Sequence, residues 1–323
     1  MTQPAPGPSD PAVPDGDYLP PEGAYREAAP RLTAADDPLV NPPEQYIAGW
    51  AHRTGMLLRR SARPLAVIFV LTHTLPALAF TLLLRGIAPE LRELDLRLFS
   101  GRGERLLGAL LVAGLAYAVA VLLPQLLGYA AATHHATRQA AGLTVSIGQS
   151  LRFGLRRLLG LAAYQLVAYV LVGVAVAAVA MCCVGAADYL GLVPTALVYV
   201  YLAMATALVG PAYLFERRNA IADSFRLFHA ALWPNAARLL LVGLTVLASS
   251  FAEVMVGAIG DRAGAALGVT ATVPLIPVTG AVLTAAVEVP LTMLLFSGVL
   301  ITYAERLGAE RGIGTADLAG RLR

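Results

Sequence analysis

The chain has 323 residues, of which 57% are hydrophobic and 14% charged, with a formal net charge of +3. A soluble domain carries about 25% charged residues, so this composition excludes a chain solvated mainly by water. The small, unevenly spread charge excludes a nucleic-acid partner held by electrostatics.

All 24 basic residues are arginine, and with abundant Ala, Gly, Leu and Val this points to a GC-rich bacterial source. Residues 1–43 hold eleven of the 21 prolines, with seven Asp or Glu against two Arg. Such a segment cannot bury a core and is expected to be a disordered cytoplasmic tail. It lacks the basic start and apolar centre of a cleavable leader, so the first span is expected to remain as an anchor.

From Glu44 the pattern changes. Ile47, Trp50, Ala51, Leu57 and Leu58 recur at helical spacing beside Arg53, Arg59, Arg60 and Arg63. An apolar stripe with Trp next to a basic face predicts a helix lying in the membrane interface. Six apolar runs follow, at about 64–84, 106–131, 158–183, 193–215, 239–259 and 278–303. Each is near the roughly 20 residues a bilayer crossing needs. Pro76, Pro124 and Pro211 fall inside these runs, where neighbouring helices can satisfy the freed carbonyls. Residues 44–304 thus read as one membrane domain and 305–323 as a cytoplasmic tail.

The prediction is an all-α, polytopic membrane protein with six transmembrane helices. They fall into three repeats, each an amphipathic interfacial helix followed by a helical hairpin. The lead-ins are AGWAHRTGMLLRRSARP, SIGQSLRFGLRRLLG and AIADSFRLFHAALWPNAARL. The last two align Ser150-Leu151-Arg152-Phe153 with Ser224-Phe225-Arg226-Leu227. Internal duplication is common in such proteins, although any cytoplasmic connection tends to be basic and amphipathic. Eighteen of the 24 arginines fall on the side of the termini and the even-to-odd connections. Positive residues stay inside, so the expected location is a bacterial inner membrane with both termini cytoplasmic. Arg85, Arg92, Arg97, Arg102, Arg105 and Arg262 lie on the opposite side.

The last span runs into LLFSGVLITYAERLGAERG, where Tyr303, Glu305, Arg306, Glu310 and Gly312 form an aromatic–acidic–Arg pattern followed by Glu and Gly. With six spans and amphipathic lead-ins, the chain resembles the integral-membrane domain family named after glycerophosphoryl diester phosphodiesterases. The likeness covers about residues 41–312. It implies a membrane domain of unassigned function without the catalytic barrel, for which this chain has no room.

Charges inside spans are functional candidates. Glu253 and Glu288 fall in the outer halves of the fifth and sixth spans; meeting in low dielectric, they would share a proton or hold a cation. Structurally, Glu253 would instead reach outward and Glu288 would satisfy backbone freed by Pro290. His73, between Thr72 and Thr74 in the first span, reads as a helix-bridging histidine or as part of a site. His134 and His135 are adjacent, which is poor geometry for one metal ion, and no metal or cofactor motif is present. Gln125 and Gln165 are candidate bridges between helices. Cys182 and Cys183 read as buried thiols. Arg59, Arg60, Arg63, Arg152, Arg156, Arg157 and Arg226 are the expected contacts to phospholipid headgroups, each contributing about 1 kcal/mol near an anionic leaflet.

The leading functional expectation is a non-enzymatic protein that organises or handles lipids or partners. A protein partner or a second copy is possible on the apolar surface. The alternative is a transporter using Glu253 and Glu288. An intramembrane enzyme would require both carboxylates and His73 to converge.

Overall fold

A computed structural model describes residues 37–40, 46–83, 112–266 and 275–322. The chain divides into Met1–Thr33, which lies outside the described residues, and Ala34–Arg323. The expected disorder of the tail and the first outer loop with its five arginines also lie outside them, apart from residues 37–40. All regular structure among the described residues is helical. Five helices are long and apolar enough to cross a membrane, or six if one sharply bent pair counts as a span.

Helix α1, Tyr46–Phe69, contains Pro64 and continues through a π-helical turn, Val70–Thr74, to residue 83. A proline lacks the N–H that residue i−4 needs, so Pro64 leaves the Arg60 carbonyl without its helical partner. Gln139 Nε2 donates to that carbonyl at 3.2 Å, and Gln139 Oε1 accepts from Ser61 Oγ at 2.7 Å. One amide side chain therefore repairs α1 and fastens it to the next helix, α2, Leu123–Ala140.

A second π-helical turn, Ala118–Leu122, precedes α2. Both π-helical turns end two residues before a proline, Pro76 and Pro124. Widening the helix by one residue moves the carbonyl that the proline ring would strike. The turn after α2 is closed by Gly142 at φ +75, with Leu143 N donating to Arg138 O at 2.9 Å. This is a left-handed glycine cap.

Helix α3, Ile147–Ala187, is a single 41-residue helix. It starts with a capping box, Ser146 Oγ accepting from Gln149 N and Gln149 Oε1 from Ser146 N. At 1.5 Å per residue it is about 60 Å long. The basic lead-in and the span are therefore one continuous rod in this unit, and the same holds for α1. No proline lies within α3 to interrupt it. Its leucines are divided between core and surface: Leu151 packs on the core, but Leu155 and Leu159 are 63% and 79% exposed.

Helices α4, Leu192–Thr206, and α5, Val209–Glu216, make the return. Then α6, Ala220–Ala230, meets α7, Leu232–Ala266, with a 109° bend measured between Ala220–Ala230 and Leu232–Thr245. Here the third lead-in does form a separate helix. Pro234 falls in the first turn of α7, and Ala231 leaves the helical region at φ −148, ψ 68. Buried Asn235 sets the corner, its Nδ2 donating to the Leu227 and Phe228 carbonyls at 2.9 and 3.0 Å. These are end-of-helix acceptors with no partner inside α6.

Helix α8, Leu275–Arg311, includes Pro290 and packs along α7. Gly312, at φ +65, caps it by donating to Gly308 O at 2.8 Å, and α9, Thr315–Arg321, follows. The region read as a C-terminal tail is thus helical for most of its length. Leu318 and Leu322 are buried in the core with Leu39, Trp50, Phe228 and Tyr303.

Candidate functional site

The charged end of the bundle is built from residues far apart in sequence. Arg238 and Glu305 form an ion pair at 2.6 Å with side chains 2% and 1% exposed. Arg306 also binds Glu305, and Arg53, buried on α1, lies in the field of both Glu305 and Asp37. Burying charge is tolerable only where opposite charges and hydrogen bonds compensate it.

Next to this cluster, Phe215 stacks on Tyr303. Glu216 accepts from Arg311 at 2.6 and 3.0 Å, with Arg321 3.6 Å away. Arg226 pairs with Asp223 at 2.9 Å and with Glu310. Tyr303, Glu305, Arg306 and Glu310, read from the sequence as a terminal pattern, therefore each belong to one of the separate pairings that make up the ionic network at this end. Gly312 ends the helix that carries them.

Asp37 completes this end. The residue before α9, Gly314, has no side chain to cap it. Asp37 Oδ2 instead accepts from Thr315 N at 2.9 Å, while Oδ1 accepts from Leu39 N and Val40 N at 2.9 and 2.8 Å. The Asp37 carbonyl accepts from Arg53 Nε at 3.1 Å. A Cβ on residue 314 would lie 2.9 Å from Asp37 Oδ2, so glycine is what admits the carboxylate. An N-cap interaction normally comes from the helix's own chain entry; here it comes from 278 residues away.

The three intramembrane candidates are placed as follows. His73 lies in the π-helical turn at the α1–α2 contact. Thr72 Oγ1 gives its proton to Ile68 O at 2.7 Å and so accepts from His73 Nδ1 at 3.1 Å. The Nδ1–H tautomer follows from that order. His73 also meets Phe69 edge to face, and Phe69 leads through Phe296 to Tyr129. Glu288 is half-buried on α8. Glu253 belongs to α7, but its side chain is outside the described residues.

The adjacent histidines share one partner. The Nδ1 atoms of His134 and His135 both reach Ser150 Oγ, at 3.1 and 3.4 Å. Ser150 is fully buried and gives its own proton to Ser146 O at 3.2 Å. They thus converge on one hydroxyl that joins α2 to α3. Among the described residues no group of three or more His, Cys, Asp or Glu could hold a metal ion.

Of the arginines expected at headgroups, Arg59, Arg60, Arg63, Arg152 and Arg156 are exposed, and Arg157 is half-exposed. Arg226 is engaged by two carboxylates as described. The cysteines correct the expectation of buried thiols, because Cys182 is exposed and Cys183 partly so. The reason is that the far part of α3 has few neighbours, and Met181 beside them is 79% exposed.

The sequence reading missed Asp37, Glu216, Arg238 and Arg311 as network members. Arg238 carried one usable signal, a charge at the start of an apolar run. Comparisons with protein-family models, with curated proteins and with solved structures each found no match to this chain.

Proposed function

We propose that this chain is a non-enzymatic integral membrane protein that organises or handles anionic lipids, or partner proteins, at a bacterial inner membrane. The observation that carries the proposal is the run of exposed arginines, Arg59, Arg60 and Arg63 on α1 and Arg152 and Arg156 on α3. Each set sits on a helix that passes without a break into an apolar span. Cations held at that boundary meet phosphate headgroups at the depth where those groups lie.

Two observations support a topology with both ends on one side. The hydrogen bond between Asp37 and Thr315 favours placing the two ends of the membrane domain at the same face of the bilayer. That requires an even number of crossings, which is six when the bent pair is counted as a span. The arginine bias makes that side cytoplasmic.

Three contacts favour the repeat reading. Trp50 Nε1 in the first lead-in donates to Thr302 Oγ1 on the last span at 3.0 Å. Ser150 in the second meets α2, the end of the first unit. Ser224 in the third donates to Ala205 O on α4, in the second unit, at 2.6 Å. Each lead-in is thus seated on the closing hairpin of another unit, in cyclic order. The likeness to the membrane domain of glycerophosphoryl diester phosphodiesterases rests on residues that the ionic network uses.

The test is reconstitution of the purified chain with mixed lipids. Wild-type protein should retain phosphatidylglycerol or cardiolipin over phosphatidylcholine, and reversing Arg59, Arg60, Arg63, Arg152 and Arg156 to Glu should abolish the preference. Retention unchanged by the reversals would refute the lipid reading. The transporter alternative draws on the packing of α7 along α8. It predicts efficient crosslinking between cysteines at positions 253 and 288 in a chain lacking Cys182 and Cys183. A folded protein that gives no crosslink rules it out.

A further inference from the structure

The outer parts of the α1–α2 hairpin differ from its inner parts in backbone and in packing. The two helices run in opposite directions, since Ser61 meets Gln139, Thr72 meets Gly128 and Phe80 meets Tyr117. A Cβ on residue 128 would run into Thr72 Oγ1, so glycine is what admits this close approach. Pro76 lies four residues outward of Thr72, and Pro124 lies four residues outward of Gly128. The two prolines therefore stand at one level.

Both helix ladders are broken there. In the π-helical turn before each proline, Leu75 N donates to Val70 O and Leu123 N donates to Ala118 O, five residues back instead of four. Neither proline has an N–H to carry the ladder past the turn. Prolines and π-bulges are the usual places where helices bend sharply. Packing changes at the same level. Inward of it Leu65, Ile68, Phe69 and Thr72 are buried, as are Ala130, Ala131 and Ala132. Outward of it, over residues 75–83 and 112–122, Val121 alone is buried. Phe80 and Tyr117 meet edge to face at 5.7 Å and tie the two outer parts to each other. The inner parts are held instead by Phe296 of α8, whose ring meets both Phe69 and Tyr129. Exposure alone does not make a joint: α3 is just as exposed over its outer length, but it is one α-helix without a proline.

We infer that residues 77–83 and 112–121 form one movable arm, hinged at the level of Pro76 and Pro124, that swings towards and away from α8. Each helix lacks a ladder bond where the bend is needed, and both lack it at the same height. The two can therefore bend together and keep the Phe80–Tyr117 contact. A joint in one helix only would shear that pair. The close approach at Gly128 and the Phe296 ring keep the inner end fixed. The inference stands apart from the lipid-handling reading, because no arginine and no headgroup enters it.

The experiment measures spin-label distances on the whole chain in lipid nanodiscs, with Cys182 and Cys183 replaced by Ala. One label pair, Leu83→Cys with Val287→Cys, runs from the arm to α8, and both positions are exposed. A second, Leu83→Cys with Leu115→Cys, lies within the arm. The third, Ile47→Cys with Ala309→Cys, joins exposed positions of α1 and α8 at the charged end and is the rigid reference. The arm-to-α8 distribution should be about twice as wide as the other two, as expected of motion about a hinge. Pro76→Ala with Pro124→Ala should narrow it to the reference width.

A wild-type arm-to-α8 distribution as narrow as the reference would overturn the arm. A pair within the arm as broad as the arm-to-α8 pair would mean that the helices fray separately, which overturns it as well. Unchanged width in the proline variant, with the reference pair intact, would remove the hinge from this level. Should the double variant fail to fold, the single variants Pro76→Ala and Pro124→Ala take its place. With one joint removed the helices no longer bend together, so the Leu83–Leu115 pair should change, and an unchanged pair overturns the shared hinge.

Discussion

The charged end of the bundle and the α3–α4 hairpin are held in opposite ways. At the charged end, Arg53, Arg238, Glu305 and Asp37 are buried, and the Arg238–Glu305 and Asp37–Thr315 bonds join positions 67 and 278 residues apart. Along the hairpin, Leu159, Leu166, Val174, Met181, Leu190 and Leu197 are all more than 60% exposed. The lesson is that the charged end is the specific, directional part, and the hairpin leaves a long apolar surface without partners among the described residues. In lipid, no hydrophobic force drives one helix onto another. Surface of this kind needs only to be apolar, whereas the charged end needs particular partners.

That contrast can be broken most sharply at Glu305. Glu305→Ala leaves the Arg238 guanidinium buried without its carboxylate, and removing one member of such a pair costs roughly 3–5 kcal/mol. A large fall in the detergent melting temperature is the expected result. An unchanged melting temperature would mean that the pair is open to water and the end is not a specific core.

A smaller effect is expected at Asp37. Asp37→Ala removes the cap of α9 and should cost about 0.5–2 kcal/mol, the range for loss of an N-cap side chain. Limited proteolysis should then cut near Gly314 faster than in wild type, before any global unfolding. The smallest effect is expected on the hairpin. Leu159→Ala and Met181→Ala should each stay within about 0.5 kcal/mol of wild type, as for surface positions generally. A loss several times larger at either residue would reveal a protein surface seated there.

The long apolar helices were legible in the sequence because hydropathy is a property of each segment alone. Leu158 to Cys183 carries no charge, and nothing distant is needed to read it as a span. The joints were less legible. A basic amphipathic stretch followed by an apolar run gives the same pattern whether the helix bends between them or not. At α6–α7 the bend depends on Pro234 and on Asn235 reaching back to Leu227 and Phe228. In α3 no such residues occur, and the rod is straight through. The ionic network was legible only in half, as the run from Tyr303 to Glu310. Arg238 meets Glu305 across 67 residues, Glu216 meets Tyr303 across 87 and Asp37 meets Thr315 across 278, and spacing carries no information over such ranges.

The cap that Asp37 places on α9 has a consequence for how the protein is made. Asp37 leaves the ribosome early, and Thr315 is added 278 residues later. At about 5–20 residues per second, the interval is roughly 15 to 55 s. For that time Asp37 and Arg53 are at the membrane without α8 or α9, and Arg238, synthesised before Glu305, also waits for its carboxylate. The last-made segment therefore closes the first-made one. A chain that stops before residue 305 would carry Arg53 and Arg238 with no Glu305 to receive them.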